Sequence, residues 1–366
     1  MRARILYLLL GAGLILLAGC GDFFSKNTGG SGGGGGSSVS RVYVTNNGDN
    51  TISVFRIDTS TGALSVTSSA ATGTAGPQGL AVAAGKFLFA GSNGTGVSGY
   101  TINSSDGVLT MMGSSPFVVG NQPRAIAVDP SGKFLYVANT ADLSIGGFTI
   151  DAASGVLSPI PGTPLPAGGT PLDIKVDVTG KFVYAALGSA GIVGFTINSS
   201  TGALTQIGSG PLAAYAGGLP NSLAVEKTGR YLYATDGVNG VEVFGINATT
   251  GALAALTLSP IAAQSNPSAA ATDPSGTFLY VANRDANNVS AYAILGNGLL
   301  SEISGSPFAA GTQPQAIGVD PTGTFVYVAN NGGGISEYKI ENAISGKLIP
   351  IGTVSAGTNP AGIAFK

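Results

Sequence analysis

Between residues 121 and 165 the chain alternates apolar with small or polar residues in four short runs: Ala125–Val128, Phe134–Ala138, Ser144–Ile150 and Val156–Ile160. Alternation with a period of two predicts half-buried β-strands. The breaks carry turn chemistry, with Asp-Pro-Ser-Gly at 129–132, Asn-Thr-Ala-Asp at 139–142 and Asp-Ala-Ala-Ser-Gly at 151–155. Four such strands make one small antiparallel sheet. The unit then recurs. Its second-strand aromatic returns at Tyr43, Phe89, Tyr136, Tyr184, Tyr233, Tyr280 and Tyr327, 46 to 49 residues apart. That period belongs to four-stranded propeller blades.

The turns repeat as regularly as the strands. Asp-Pro-Ser/Thr-Gly words at 129, 273 and 320 join first to second strands. Asp or Asn followed four residues later by Gly (58/62, 103/107, 151/155, 198/202 and 247/251) predicts hairpins with a left-handed residue at the last position. Recurrence in blade after blade marks these acids as turn-makers rather than metal ligands or general acids. The first copy begins at Arg41 without an inner strand. The C-terminal Asn359-Pro-Ala-Gly-Ile-Ala-Phe365 matches the inner strand Gln122-Pro-Arg-Ala-Ile-Ala-Val128. The expected fold is all-β, one seven-bladed β-propeller over residues 41–366, closed by the C-terminal strand joining the N-terminal blade. Closure removes the open sheet edge.

Composition adds a location. Arg2 and Arg4 followed by the apolar run Ile5–Leu17 form an export leader too short to span a bilayer, which needs about 20 apolar residues. Leu17-Ala18-Gly19-Cys20 reads as a lipobox. Cys20, the only cysteine, would be acylated, and residues 21–40, rich in Gly and Ser, would form a flexible tether. The expected location is the bacterial cell envelope, with the membrane as partner through the lipid on Cys20. Charged residues are only 9% of the chain and the net charge is −2, so nucleic acid is not an expected partner. Histidine is absent.

These words resemble the seven-bladed propeller lactonase family, the 6-phosphogluconolactonase-like propellers, and exported bacterial proteins built from Y-V-T-N repeats. The resemblance covers Arg41–Lys366 and rests on Ala125-Ile-Ala-Val-Asp-Pro-Ser-Gly-Lys-Phe-Leu-Tyr-Val-Ala-Asn139, Thr201-Gly-Ala-Leu204 and Gly305-Ser-Pro-Phe308. All are scaffold words. The family implies His, Arg and acidic groups around the central channel, activating water and holding the opening ring. Without histidine, no catalytic position carries over.

The topology places a site. Second-to-third loops and blade crossings share one face, where the inner strands begin. Residues there that directly follow a proline are Gln78, Arg124, Leu172, Asn221, Ser268, Gln315 and Ala361. Arg124 is the only charged one, able to hold a carboxylate or phosphate bidentately or to pair with Asp142 or Asp173. Asp173 and Lys175 depart from the apolar inner-strand pattern and suggest an ion pair in the channel. Arg124, Asp142 and Asp173 are the candidate catalytic residues. Gln78, Arg124, Asn139, Asn221, Asn283, Arg284, Asp285, Gln315 and Asn330 are the candidate ligand-binding residues, with Arg284 and Asp285 expected to pair locally. No metal site and no cofactor are expected.

Three functions fit these residues. The first is a monomeric binding or scaffold propeller, taking a small molecule, glycan or protein at the channel mouth. The second is a lactone hydrolase with Arg124 on the substrate anion. The third is a surface-array or adhesion component.

Overall fold

The computed structural model describes residues 40–212, 217–238 and 240–366. The leader, Cys20 and residues 21–39 of the tether lie outside them. The described residues form one compact unit of seven antiparallel sheets, each ordered inner, second, third, outer strand. Blade 1 holds Arg41–Asn46, Thr51–Ile57, Leu64–Ala71 and, as its inner strand, the C-terminal Pro360–Phe365. The inner strands of blades 2 to 7 are Pro77–Ala83, Pro123–Val128, Asp173–Val176, Pro220–Val225, Pro267–Thr272 and Pro314–Val319. Each inner strand contacts the next, and the last contacts the first, so the ring is closed. The expected fold, including closure by the C-terminal strand, is the observed one.

The predicted turns are built as their residues require. Asp129 Oδ1 accepts from the Lys133 and Phe134 amides at 2.8 and 2.7 Å, and Oδ2 accepts from the Ser131 amide at 3.0 Å. Asp177, Asp273 and Asp320 repeat the pattern, and Glu226 stands in for them in blade 5. All five carboxylates are buried in their own turns.

Blades are joined by a tyrosine and a glycine. The Tyr136 hydroxyl, buried in blade 3, donates to the Gly202 carbonyl in the outer hairpin of blade 4 at 2.9 Å. Gly202 has φ +73°, and a Cβ there would lie 2.5 Å from the ring of Phe134. Five more tyrosines make the same contact with the next blade: Tyr43 with Gly107, Tyr184 with Gly251, Tyr233 with Gly298, Tyr280 with Gly346 and Tyr327 with Gly62. In blade 2 the equivalent residue is Phe89, and Gly155 still packs on the ring of Phe87. Burial raises the pKa of these phenols, Tyr43 to about 12, so they remain donors. Removing a hydroxyl leaves a buried carbonyl unpaired. Tyr136→Phe and Tyr280→Phe are each expected to lower the unfolding free energy by about 1–2 kcal/mol in urea denaturation, with unchanged secondary structure.

Blades 7 and 1 also meet through an acid. Glu337, 4% exposed, accepts from the Leu64 amide at 2.8 Å through Oε1. Loss of solvent raises its pKa, against a smaller opposing effect of that hydrogen bond. A raised folded-state pKa means that the folded chain holds the proton more tightly. Stability is therefore fullest below the unfolded pKa and falls as pH rises through the folded one. Glu337→Gln keeps the acceptor without the charge. Thermal unfolding should show it more stable than wild type at pH 7 and equal to it near pH 4.

Candidate functional site

The residues after the prolines sit on β-bulges. In blade 3, Pro123 pairs with Asn139 and Ala125 with Ala138, which leaves Arg124 without a partner on the second strand. Asn221, Ser268, Gln315 and Ala361 are skipped in the same way, and blade 2 skips Gln78 and Gly79. A bulge bends the strand and re-aims its side chain. Blade 4 lacks one: the Leu172 amide donates to the Ala186 carbonyl at 2.8 Å and pairing starts at Asp173. The residue before the proline has positive φ in five blades: Gly76, Gln122, Asn266, Gln313 and Asn359, at 49 to 60°. For the four that are not glycine this conformation is strained, and such strain gathers at functional sites.

Hydrogen bonds between blades fix this rim. Thr45 Oγ1 donates to the Gln78 carbonyl at 2.6 Å, Thr140 Oγ1 to Pro171 at 2.7 Å, Asn221 Nδ2 to Pro267 at 2.9 Å and Ser268 Oγ to Pro314 at 2.8 Å. The inner strands enclose a cavity of about 400 Å³ lined by Gln78, Arg124, Asp173, Lys175, Asn221 and Gln315, among others. Two and four residues after the proline the other six blades carry only Ala, Gly or Ser. Only blade 4 places charge there, as Asp173 and Lys175.

Arg124 reaches water, yet channel walls surround it. Among the described residues no group accepts a hydrogen bond from it. Burial lowers its pKa most, the charge of Asp173 opposes that, and the like charge of Arg284 adds to it. An arginine so placed stays cationic. Asp173 is the reverse case, a carboxylate with every position filled. Its Oδ1 accepts from the Ile174 amide and Lys175 Nζ at 2.8 and 2.9 Å. Its Oδ2 accepts from Lys175 Nζ, Ser222 Oγ and the Leu223 amide at 3.1, 3.0 and 2.8 Å. Asp173 thus ties blade 4 to blade 5. The Lys175–Asp173 contact is the ion pair expected in the channel.

Other candidates fall elsewhere. Asp142 does not pair with Arg124. It accepts from the Asn121 side chain and amide at 2.8 and 2.7 Å, and these bonds lower its pKa. Arg284 and Asp285 form no ion pair: Asp285 accepts from Asn266 Nδ2 at 3.2 Å, while Arg284 Nε is buried without an acceptor. Asn139, Asn283 and Asn330 are at most 1% exposed. Their amides bond the hydroxyls of Ser144, Ser290 and Ser336 on the third strands at 3.4, 2.9 and 3.0 Å. The reason is the pleat, which turns the last residue of Tyr-Val-Ala-Asn into the blade interior instead of toward a ligand. Gln78, Asn221 and Gln315 do line the cavity, but Gln78 is bonded to Asn93 and Asn221 to Thr235. Ser222 was not among the candidates, although its place one residue beyond Asn221 could have marked it. Among the described residues no cluster of His, Cys, Asp or Glu could hold a metal.

Asp173→Ala leaves Lys175 and the Ser222 and Leu223 donors unpaired. It should lower stability by about 3 kcal/mol. Lys175→Gln, at a side chain 40% exposed, should cost less than about 1 kcal/mol in the same denaturation experiment.

A family profile for "Lactonase, 7-bladed beta-propeller" matches residues 36–120, 96–170, 162–262 and 223–365. The 6-phosphogluconolactonase of Formosa agariphila is 47% identical over 58 residues, a stretch that spans 15% of this chain and 16% of that protein. A candidate 6-phosphogluconolactonase of Bacteroides uniformis superposes with a TM-score of 0.79 at 20% identity, over 90% of this chain and 100% of the other. A periplasmic gluconolactonase of Pseudomonas aeruginosa does so with a TM-score of 0.73 at 22% identity, over 90% and 99%. At these identities the superpositions speak for the fold.

Proposed function

This chain belongs to the seven-bladed β-propeller lactonase family, and on that premise we propose that it hydrolyses a lactone at the channel mouth, with Arg124 stabilising the carbonyl oxyanion. The observation that carries this is an unpartnered guanidinium on a bulge, facing a ligand-sized cavity and within the field of Arg284. Family membership favours hydrolysis over the binding or scaffold role that the lack of histidine suggests.

Water adds to the lactone carbonyl carbon and its proton leaves to solvent. The carbonyl π electrons move to oxygen, and Arg124 donates hydrogen bonds to the anion that forms. Collapse breaks the bond to the ring oxygen, which takes a proton, giving the hydroxy acid. Donors fixed before the reaction stabilise such charge without reorganising. Gln315 on the rim is available to a sugar hydroxyl.

The export reading of residues 1–20 and the periplasmic location of one structural neighbour support a place in the cell envelope. A lipid on Cys20 belongs to the same proposal. An exported enzyme would meet unphosphorylated sugar lactones.

Purified chain should open gluconolactone-type substrates well above the spontaneous rate, and Arg124→Gln should reduce kcat/KM by about 100-fold. With no imidazole to act as base, the rate should rise with hydroxide through neutral pH. A rate equal to the spontaneous one, or an unaltered Arg124→Gln enzyme, would refute the proposal.

A further inference from the structure

The fold gathers cations on the face opposite the mouth. In blades 2 to 5 the residue after the glycine of the first-to-second turn is Lys86, Lys133, Lys181 and Arg230, and Lys227 stands in the last of these turns. All five are exposed. Because these turns end the inner strands, the cations form an arc around the far opening of the channel. The carboxylates of the same turns, Asp129, Asp177 and Glu226, point inward to backbone amides. No basic run exists in the sequence, because each blade contributes one or two residues and only the ring assembles them.

An apolar tip makes the arc more than scattered solvated charge. Val178 stands at the tip of the blade 4 turn, 43% exposed, where blades 3, 6 and 7 have proline. The outer hairpins on the same face expose Asp58, Asp106, Asp151 and Glu341 farther from the channel, whereas the opposite face exposes Asp49, Asp142 and Asp285 beside Arg124.

We infer that the arc rests on an anionic lipid bilayer, with its cations at the headgroups, Val178 at the interface and the channel mouth opening away from the membrane. Cationic side chains near an anionic leaflet are attracted over about a Debye length, and their apolar stems can lie along the interface. An apolar tip among them adds hydrophobic contact. The mouth carries both signs, with Arg124 and Arg284 beside its acids, and only the arc offers cations without interruption around the channel opening, which sets the orientation. The inference does not depend on lactone hydrolysis.

The test uses residues 21–366, which keep the whole compact unit and contain no cysteine. Cosedimentation with phosphatidylglycerol vesicles should show binding that weakens with salt, and phosphatidylcholine vesicles should show none. The triple variant K133Q/K181Q/K227Q should bind roughly 100-fold more weakly, from about fivefold per lysine, with the thermal unfolding of the parent. An environment-sensitive dye on Val178→Cys should shift to the blue on anionic vesicles, and the same dye on Leu143→Cys at the mouth should not. Absence of binding at low salt, unchanged binding by the triple variant, or equal dye shifts at both positions would overturn the inference. So would equal salt-dependent binding to a soluble polyanion such as dextran sulfate without a Val178 shift.

Discussion

The contact on which the ring depends is the buried tyrosine hydroxyl that donates to a glycine carbonyl in the next blade. Three sequence words meet there: the residue two before the tyrosine (aromatic in every blade that has the tyrosine except the first, where it is Arg41), the tyrosine itself, and the hairpin glycine one blade on. The glycine is needed twice over, for its positive φ and because any side chain would enter the aromatic ring beneath it, as at Gly202 over Phe134. Four strands cannot bury both faces of a sheet alone, so each blade takes its core from its neighbours. Tyr327 closes the cycle by donating to Gly62, which joins the last blade to the first.

A regular scaffold makes departures from the pattern informative. Inner strands must come close together, so their positions two and four after the proline are small. Charge there is costly unless it is paired. Asp173 meets that condition with hydrogen bonds from four partners, and it becomes a strut between blades 4 and 5. Arg124 stands one layer higher, at the bulge, where water can reach it. It keeps its charge without a partner because the mouth is wet. The same fold thus turns one charged group into structure and leaves the other available for chemistry.

The two ends of the channel differ for a topological reason. Bulges and strained residues gather where chain crossings enter the inner strands. Tight capped turns gather where those strands leave, and their exposed positions carry the cations.

Fold and closure were legible in the sequence because they rest on local words that recur from blade to blade: a second-strand aromatic in all seven, Asp-Pro-Ser/Thr-Gly turns in three, Asx-to-glycine hairpins in five, and a C-terminal copy of the inner strand. The positions after the prolines were legible for the same reason, as was the Asp173–Lys175 pair, since residues two apart share a face of a strand. What the sequence left open was which way the polar side chains turn. Asn139, Asn283 and Asn330 stand beside the rim in sequence, but the pleat buries them against third-strand serines. Asp142 and Arg124 belong to the same blade, yet the crossing gives Asp142 to Asn121. The basic arc had no local signal at all, because its members lie tens of residues apart and meet only when the ring closes. Repetition determined the architecture; hydrogen-bond partners and proximity across blades were decided by tertiary structure, because they depend on contacts between repeats rather than within one.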